Sequence, residues 1–178
     1  VGFSPRNTSG RNTKVGQVAD TLNQTGIYSV VRHPLYLGNF LMWLGPALVT
    51  ANGWFILAFC FLYWVYYERI MFAEEQFLRK KFGDVYLQWS QGVPAFLPNF
   101  SNFISSNFPF SWKKVLKKEK NGLAALFLIF CLFDASVLIF KPEHQPNLLL
   151  IGLCVGTGLL YLVLKLLKNS QLLAEKDR

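Results

Sequence analysis

The sequence predicts an all-α, polytopic integral-membrane protein, built as a helical bundle with about four spans or two helical hairpins. The first observation is composition: 52% of the 178 residues are hydrophobic, and the mean hydropathy of +0.29 is high for a soluble domain. The second is a set of apolar segments long enough to cross a bilayer. The third is that basic residues gather on one side of these segments.

Three apolar segments account for the predicted spans. Residues 40–67 exceed the length of one span and are interrupted by turn-forming residues at 50–53, which indicates two spans or a tight helical hairpin. Residues 123–140 and 148–164 each have about the length of one span. Asp134 lies in the third predicted span, where either a substrate path or a position facing the bundle explains it.

The distribution of basic residues predicts the orientation of the spans. Lysines and arginines lie before and after the first hairpin, before the third span and after the fourth, whereas the opposite turns contain only Lys141. The positive-inside rule therefore places both chain ends and residues 68–120 in the cytoplasm. The residues used are Arg6, Arg11, Lys14, Arg32, Arg79, Lys80, Lys81, Lys113, Lys114, Lys117, Lys118, Lys120, Lys165 and Lys168.

The segment before the first apolar run, residues 26–38, reads GIYSVVRHPLYLG. Pro34 disfavours helical backbone at His33, so we expect a helix to begin at or just after Pro34. Arg32 and His33 would then lie at the membrane surface, where desolvation of polar groups is costly. Because an arginine binds a carboxylate through two hydrogen bonds and a histidine adds a donor, this pair is interpreted as an anion clamp. A membrane anchor is the alternative.

Residues 68–82 predict an amphipathic helix that continues the second span and ends at Gly83. Glu74 falls in the middle of its apolar face and Glu75 at the edge of that face. A carboxylate is stable there if it meets hydroxyls, an ammonium or a sulfonium. The alternative is a helix rotated so that both glutamates face water, with Lys81 pairing with Glu74.

Composition divides the chain into five segments. We expect a polar segment at 1–25, a core at 26–98, a basic aromatic interfacial linker at 99–121, a two-span hairpin at 122–168 and a polar tail at 169–178. We expect the first segment to form a loop or a short surface helix. Because the chain begins at Val1 rather than Met, the natural protein is expected to extend further N-terminally.

Several site classes are not indicated by the sequence. The sequence does not favour a metal site, because it contains only two histidines and no Cys-x-x-Cys pair. No Gly-rich dinucleotide or phosphate-loop motif is present, and nucleic-acid binding is not expected of such an apolar chain. Tyr86 and Trp89 are interpreted as interfacial anchors, and Gly152-x-x-x-Gly156 as a helix-packing motif. The sequence leaves the oligomeric state open.

The motifs taken together resemble a known family. The chain resembles the isoprenylcysteine carboxyl methyltransferase and phospholipid methyltransferase superfamily in two motifs separated by an apolar hairpin. The first motif reads T-G-x-Y-x-x-V-R-H-P-x-Y-x-G, and the second reads E-E followed by F-G-x-x-Y-x-x-W-x-x-x-V-P. The resemblance covers residues 24–98. The chain departs from the family in having no spans before the first motif and two further spans after the core.

The resemblance implies a membrane methyltransferase that uses S-adenosylmethionine, with a cytoplasmic pocket for the donor and a lipid or lipidated acceptor. It implies that Arg32 and His33 face the methionine carboxylate and that Glu74 or Glu75 binds ribose hydroxyls or the amino group. Arg32 and Glu74 are the expected catalytic residues. The expected donor-binding residues are Gly26, Tyr28, Arg32, His33, Pro34, Tyr36, Leu37, Gly38, Glu74 and Glu75.

The acceptor group is left as a carboxylate, phosphate, amine or thiol. An anionic oxygen is favoured because it needs no general base, and the core contains no dedicated base beyond His33 and the glutamates. Two other functions fit the same pattern less well. One is an NADPH-dependent membrane reductase of the sterol or enone type, and the other is a membrane scaffold without enzymatic activity.

Overall fold

A computed structural model describes residues 3, 11–13, 16–141, 143 and 145–169. The described chain forms two compact units, one within Phe3–Phe110 and one that begins at Ser111. Arg6, Lys14 and nearly all of the predicted polar tail lie outside the described residues. The named elements are β1 (Arg11–Thr13), β2 (Gly16–Val18), α1 (Pro34–Val49), α2 (Gly53–Phe82), α3 (Asp84–Gly92), α4 (Trp112–Phe140) and α5 (Leu148–Asn169).

The described residues confirm the all-α membrane class. Three helices are long and apolar enough to cross a bilayer: Gly53–Phe82, Trp112–Phe140 and Leu148–Leu167. Helix α1 has 16 residues and measures about 24 Å, which is short of a hydrocarbon core of about 30 Å. Large apolar side chains of α2 face outward, and Trp54 is 82% exposed, as expected of a lipid-facing surface.

The first hairpin forms where the apolar segment is interrupted. Helix α1 begins at Pro34, as predicted, because a proline at the first helical position already has the helical φ angle and removes an N–H that would lack a partner. Asn52 begins α2 by accepting a hydrogen bond from the Phe55 N–H at 3.1 Å. Across the hairpin, the Tyr63 hydroxyl donates to the Tyr36 carbonyl at 2.8 Å, so the start of α1 lies beside the middle of α2.

Helix α2 runs without a break through the predicted amphipathic segment to Phe82. Arg79, Lys80 and Lys81 occupy its last turn, where cations stabilise the negative end of the helix dipole. Gly83 ends the helix with a φ of 52°, and its N–H donates to the Arg79 carbonyl at 3.0 Å. Few residues other than glycine adopt that backbone conformation, so the predicted stop is confirmed.

Two elements were not predicted from the sequence. The first is an antiparallel pair, β1 and β2, in the segment expected to be a loop or surface helix; strands of three residues are too short to show a periodicity. The second is α3, which begins directly after Gly83. The three-residue spacing of Tyr86 and Trp89 brings their rings together edge to face, 5.6 Å between centroids.

The unit that begins at Ser111 is a pair of long helices, α4 and α5. Ser111 caps α4 by accepting from the Lys114 N–H at 3.1 Å, so the helix starts about three turns before the apolar run and includes the lysine cluster. Asp134 accepts a hydrogen bond from the Asn147 N–H at 2.9 Å. A local structural partner therefore explains this carboxylate within an apolar helix.

Candidate functional site

The residues before α1 are fixed in place by the chain that follows α3. The N–H groups of Arg32 and His33 donate to the carbonyls of Pro94 and Ala95 at 2.9 and 3.2 Å, and the Asn99 N–H donates to Val30 at 3.0 Å. Val30 and Val31 are fully buried, and burial of each valine contributes about 1.5–3 kcal/mol. The extended backbone that Pro94 enforces thus supports the Arg32-His33 pair.

Gly26 begins this segment with a φ of 62°. Its N–H donates to the Ile104 carbonyl at 2.7 Å, and its own carbonyl accepts from the Ser29 hydroxyl at 2.7 Å. That hydroxyl in turn accepts from the Ile104 N–H at 2.8 Å. Gly26 is therefore placed where it shapes the loop that precedes Arg32.

His33 is buried between two carboxylates of α2. Its Nδ1 lies 3.4 Å from Glu74 Oε2, and its Nε2 lies 3.1 Å from Glu75 Oε1. Only the protonated imidazole donates from both nitrogens, so this geometry suits the cationic form. Burial by itself lowers the pKa of His33, but hydrogen bonds and charges from Glu74 and Glu75 outweigh it and raise the pKa above 6.5.

Arg32 shares one of these carboxylates. Its Nη1 lies 3.2 Å from Glu75 Oε1, and both side chains are largely buried. Two cationic groups from the first motif therefore meet two carboxylates from the second, about 40 residues further along the chain. The interpretation of a helix rotated to bring both glutamates into water was wrong, because Glu74 is 7% exposed. Lys81 instead lies over the Phe77 and Phe82 rings, 5.9 Å from each centroid.

A narrow recess opens beside these charges. The empty space among its lining residues is about 290 Å³, open solvent included. Three of its lining residues carry a buried donor, Arg32 Nε, Tyr86 Oη or Trp89 Nε1, that makes no hydrogen bond within the described part of the chain. The lining residues are Leu22, Asn23, Tyr28, Arg32, His33, Glu74, Leu78, Tyr86 and Trp89.

The structure places the sequence-predicted site residues in four groups. Tyr28, Arg32, His33 and Glu74 line the recess, and Glu75 contacts Arg32 and His33. Gly26 begins the supporting loop. The remaining predicted residues, Pro34, Tyr36, Leu37 and Gly38, form the start of α1. Of these, Tyr36 stacks on the His33 ring at 5.7 Å between centroids. Their contact with a ligand stays a prediction.

Sequence reasoning missed five lining residues, which are Leu22, Asn23, Leu78, Tyr86 and Trp89. Tyr86 is 1% exposed, so the interpretation of this residue as an interfacial anchor was wrong. Tyr86 also packs with Ala19 and Leu78 in a small core. One feature of the sequence could have indicated this packing. Tyr86 and Trp89 are three residues apart and follow a helix-ending glycine, and this pattern is typical of a short packed helix.

The site offers no arrangement of the metal-binding kind. Within residues 16–141 and the other described positions, no group of three His, Cys, Asp or Glu side chains is placed to hold a metal ion. The chemistry available is that of hydrogen bonds and charge. Cationic and donor groups of Arg32, His33 and α3 could bind an anion, while Glu74 could bind hydroxyls or an ammonium.

Comparison with known proteins finds methyltransferase relatives. The family model for phospholipid methyltransferase matches residues 9–85. Over 73 residues the chain is 37% identical to a protein-S-isoprenylcysteine O-methyltransferase of Schizosaccharomyces pombe, covering 41% of this chain and 31% of that protein. The B form from Arabidopsis thaliana is 37% identical over 74 residues, 41% of this chain and 37% of its own length. The protein-S-isoprenylcysteine O-methyltransferase of Saccharomyces cerevisiae is 32% identical over 77 residues, which cover 43% of this chain and 32% of that protein.

No solved structure matches the chain. The chain spans about a third of the length of the curated relatives it matches. The matched region contains Arg32, His33, Glu74 and Glu75 and ends at residue 85, directly before Tyr86. Through this region, the chain is similar to the phospholipid methyltransferase family and to protein-S-isoprenylcysteine O-methyltransferases.

Proposed function

We propose that the chain is an integral-membrane methyltransferase that uses S-adenosylmethionine and methylates an anionic oxygen of a lipid or lipid-linked acceptor. The observation that carries the proposal is the meeting of Arg32 and His33 with Glu74 and Glu75 beside a recess whose donors lack partners. Relatives named as isoprenylcysteine O-methyltransferases support a carboxylate on a lipidated molecule as the acceptor.

The residues present fit this donor. S-adenosylmethionine, when bound, supplies a methyl group on a positively charged sulfur. Its amino-acid part needs a cation for the carboxylate and an anion for the ammonium, and the recess is lined by both Arg32 and Glu74. Glu74 would accept from the ammonium or from ribose hydroxyls, while Arg32 would bind the carboxylate.

The surrounding protein serves orientation and exclusion of water. Because an anionic oxygen carries no proton to remove, the reaction needs no general base. His33 then acts as a cation that fixes the two glutamates, and it is held by the backbone of Ala95. Fixed charges in a water-poor site align reactants without further rearrangement.

Calorimetry of the full chain in detergent with S-adenosylhomocysteine tests the proposal. We expect binding in about the micromolar range and a loss of about tenfold or more in Glu74→Gln and Arg32→Gln, because each removes a charge-assisted hydrogen bond. Glu68→Gln and Arg69→Gln are matched controls, since both side chains are exposed on the same helix. They should bind like the unmodified protein.

The same titration with NADPH separates the alternatives. Binding of NADPH in place of S-adenosylhomocysteine would indicate a reductase, and binding of neither by folded protein would leave a scaffold. Transfer of a labelled methyl group to N-acetyl-S-farnesylcysteine, with none to phosphatidylethanolamine, is the result expected for a carboxylate acceptor.

A further inference from the structure

Three residues that line the recess carry buried side-chain donors. Arg32 Nε, Tyr86 Oη and Trp89 Nε1 make no hydrogen bond in the described part of the chain, and all three residues line the recess. A buried donor without a partner costs about 1–3 kcal/mol. Three such donors on residues that line one recess indicate a ligand that satisfies them together.

The chemistry of the donors restricts the ligand group. An indole N–H and the arginine Nε–H only donate, so the ligand must present acceptors. The pKa of Tyr86 is raised to about 12, chiefly by burial, and its hydroxyl therefore keeps its proton at neutral pH. The positive charge of Arg32 favours an anion. Glu74 also lines the recess, and its carboxylate would repel a dianion such as a phosphate.

A carboxylate matches these requirements. Its two oxygens offer about four lone-pair positions and carry a single charge. The edge-to-face contact of the Tyr86 and Trp89 rings fixes both α3 donors on one helix, and the 1% exposure of Tyr86 leaves its hydroxyl inside the protein.

We infer that Tyr86 and Trp89 of α3, together with Arg32 Nε, form a recognition site for a carboxylate group. The inference rests on the proposed function, and it adds Tyr86 and Trp89 of α3 to the binding residues expected from the sequence. The carboxylate belongs either to the amino-acid part of the methyl donor or to the methyl acceptor.

The test removes one donor atom at a time and keeps the rings. Trp89→Phe and Tyr86→Phe each delete a single donor, whereas Trp64→Phe and Tyr66→Phe delete the same groups at exposed positions of α2 and serve as controls. Calorimetry compares S-adenosylhomocysteine with its decarboxylated analogue, and N-acetyl-S-farnesylcysteine with its carboxamide.

We expect the unmodified protein to prefer one carboxylate over its matched analogue, and each α3 variant to lose about 10- to 100-fold of that preference. If the preference for S-adenosylhomocysteine over its decarboxylated analogue is lost, the carboxylate belongs to the methyl donor. If the preference for N-acetyl-S-farnesylcysteine over its carboxamide is lost, the carboxylate belongs to the methyl acceptor. Variants that weaken acid and analogue equally overturn the inference and leave the proposed function standing. An unmodified protein that binds no ligand contradicts both.

The ligand-free protein provides a second measurement. Because the buried Tyr86 hydroxyl makes no hydrogen bond among the described residues, Tyr86→Phe should leave thermal stability unchanged or raise it. A marked loss of stability would show that the hydroxyl already has a structural partner, and it would overturn the inference without any ligand being present.

Discussion

His33 is the residue on which the charge arrangement depends. It lies between Glu74 and Glu75, and Tyr36 stacks on its ring. Without a cation between them, two adjacent buried carboxylates would repel each other and lack hydrogen-bond donors. The sequence therefore places a histidine where a proton stabilises this arrangement of charges.

The raised pKa of His33 has a consequence for stability. A group with a higher pKa in the folded state stabilises the protein fully below its unfolded value of 6.5, and this contribution is lost as pH rises through the folded pKa. We expect the unfolding temperature of the unmodified protein to exceed that of His33→Gln most at low pH, with the gap closing above neutrality. Thermal unfolding of both proteins in detergent across about pH 6 to 9 measures this gap. A gap that is constant with pH would show that folding does not shift the pKa of His33.

At the scale of elements, the junction of α2 and α3 positions half of the recess. Gly83 lets the chain leave α2 and begin α3 one residue later. This brings Tyr86 against Leu78 and Ala19 in the core. The recess therefore depends on the backbone of one glycine that does not itself line it.

Gly83→Ala tests this junction. The φ of 52° is strained for alanine, although its Cβ would have open space, so we expect a loss of about 1–3 kcal/mol in the free energy of unfolding. Gly92→Ala is the matched control at the other end of α3, since its Cβ also meets open space without a positive φ. It should be neutral or slightly stabilising. Equal effects of the two substitutions would refute the conformational argument.

At the scale of the whole molecule, the orientation predicted by the basic residues is open to direct measurement. The turn at 50–53 and the end of α2 lie at opposite ends of one continuous helix. If the donor site faces the cytoplasm, the turn faces the other side of the membrane.

Cysteine labelling in sealed right-side-out vesicles distinguishes the two sides. After replacement of Cys60, Cys131 and Cys154 by serine, Asn52→Cys should react with an impermeant maleimide immediately. Ser90→Cys in α3 should react only after permeabilisation. The reverse pattern would place the site on the outer face and contradict the positive-inside argument.

The sequence by itself determined the long helices and the chemistry available. Apolar length predicted the helices, Pro34 and Gly83 marked where α1 begins and α2 ends, and Arg32-His33 and Glu74-Glu75 were recognised as unusual for their surroundings. These features are local along the chain, where steric rules and helical periodicity act directly.

Only the tertiary structure decided which groups meet. Periodicity placed Glu74 on the apolar face but could not show that His33, about 40 residues away, lies between both glutamates while Arg32 pairs with Glu75 alone. It also could not show that α3 brings two further donors to the same recess. The physical reason is that such contacts depend on how the helices pack and rotate against one another. Successive side chains of a helix point about 100° apart around its axis, so a small change in rotation changes which residue faces the site.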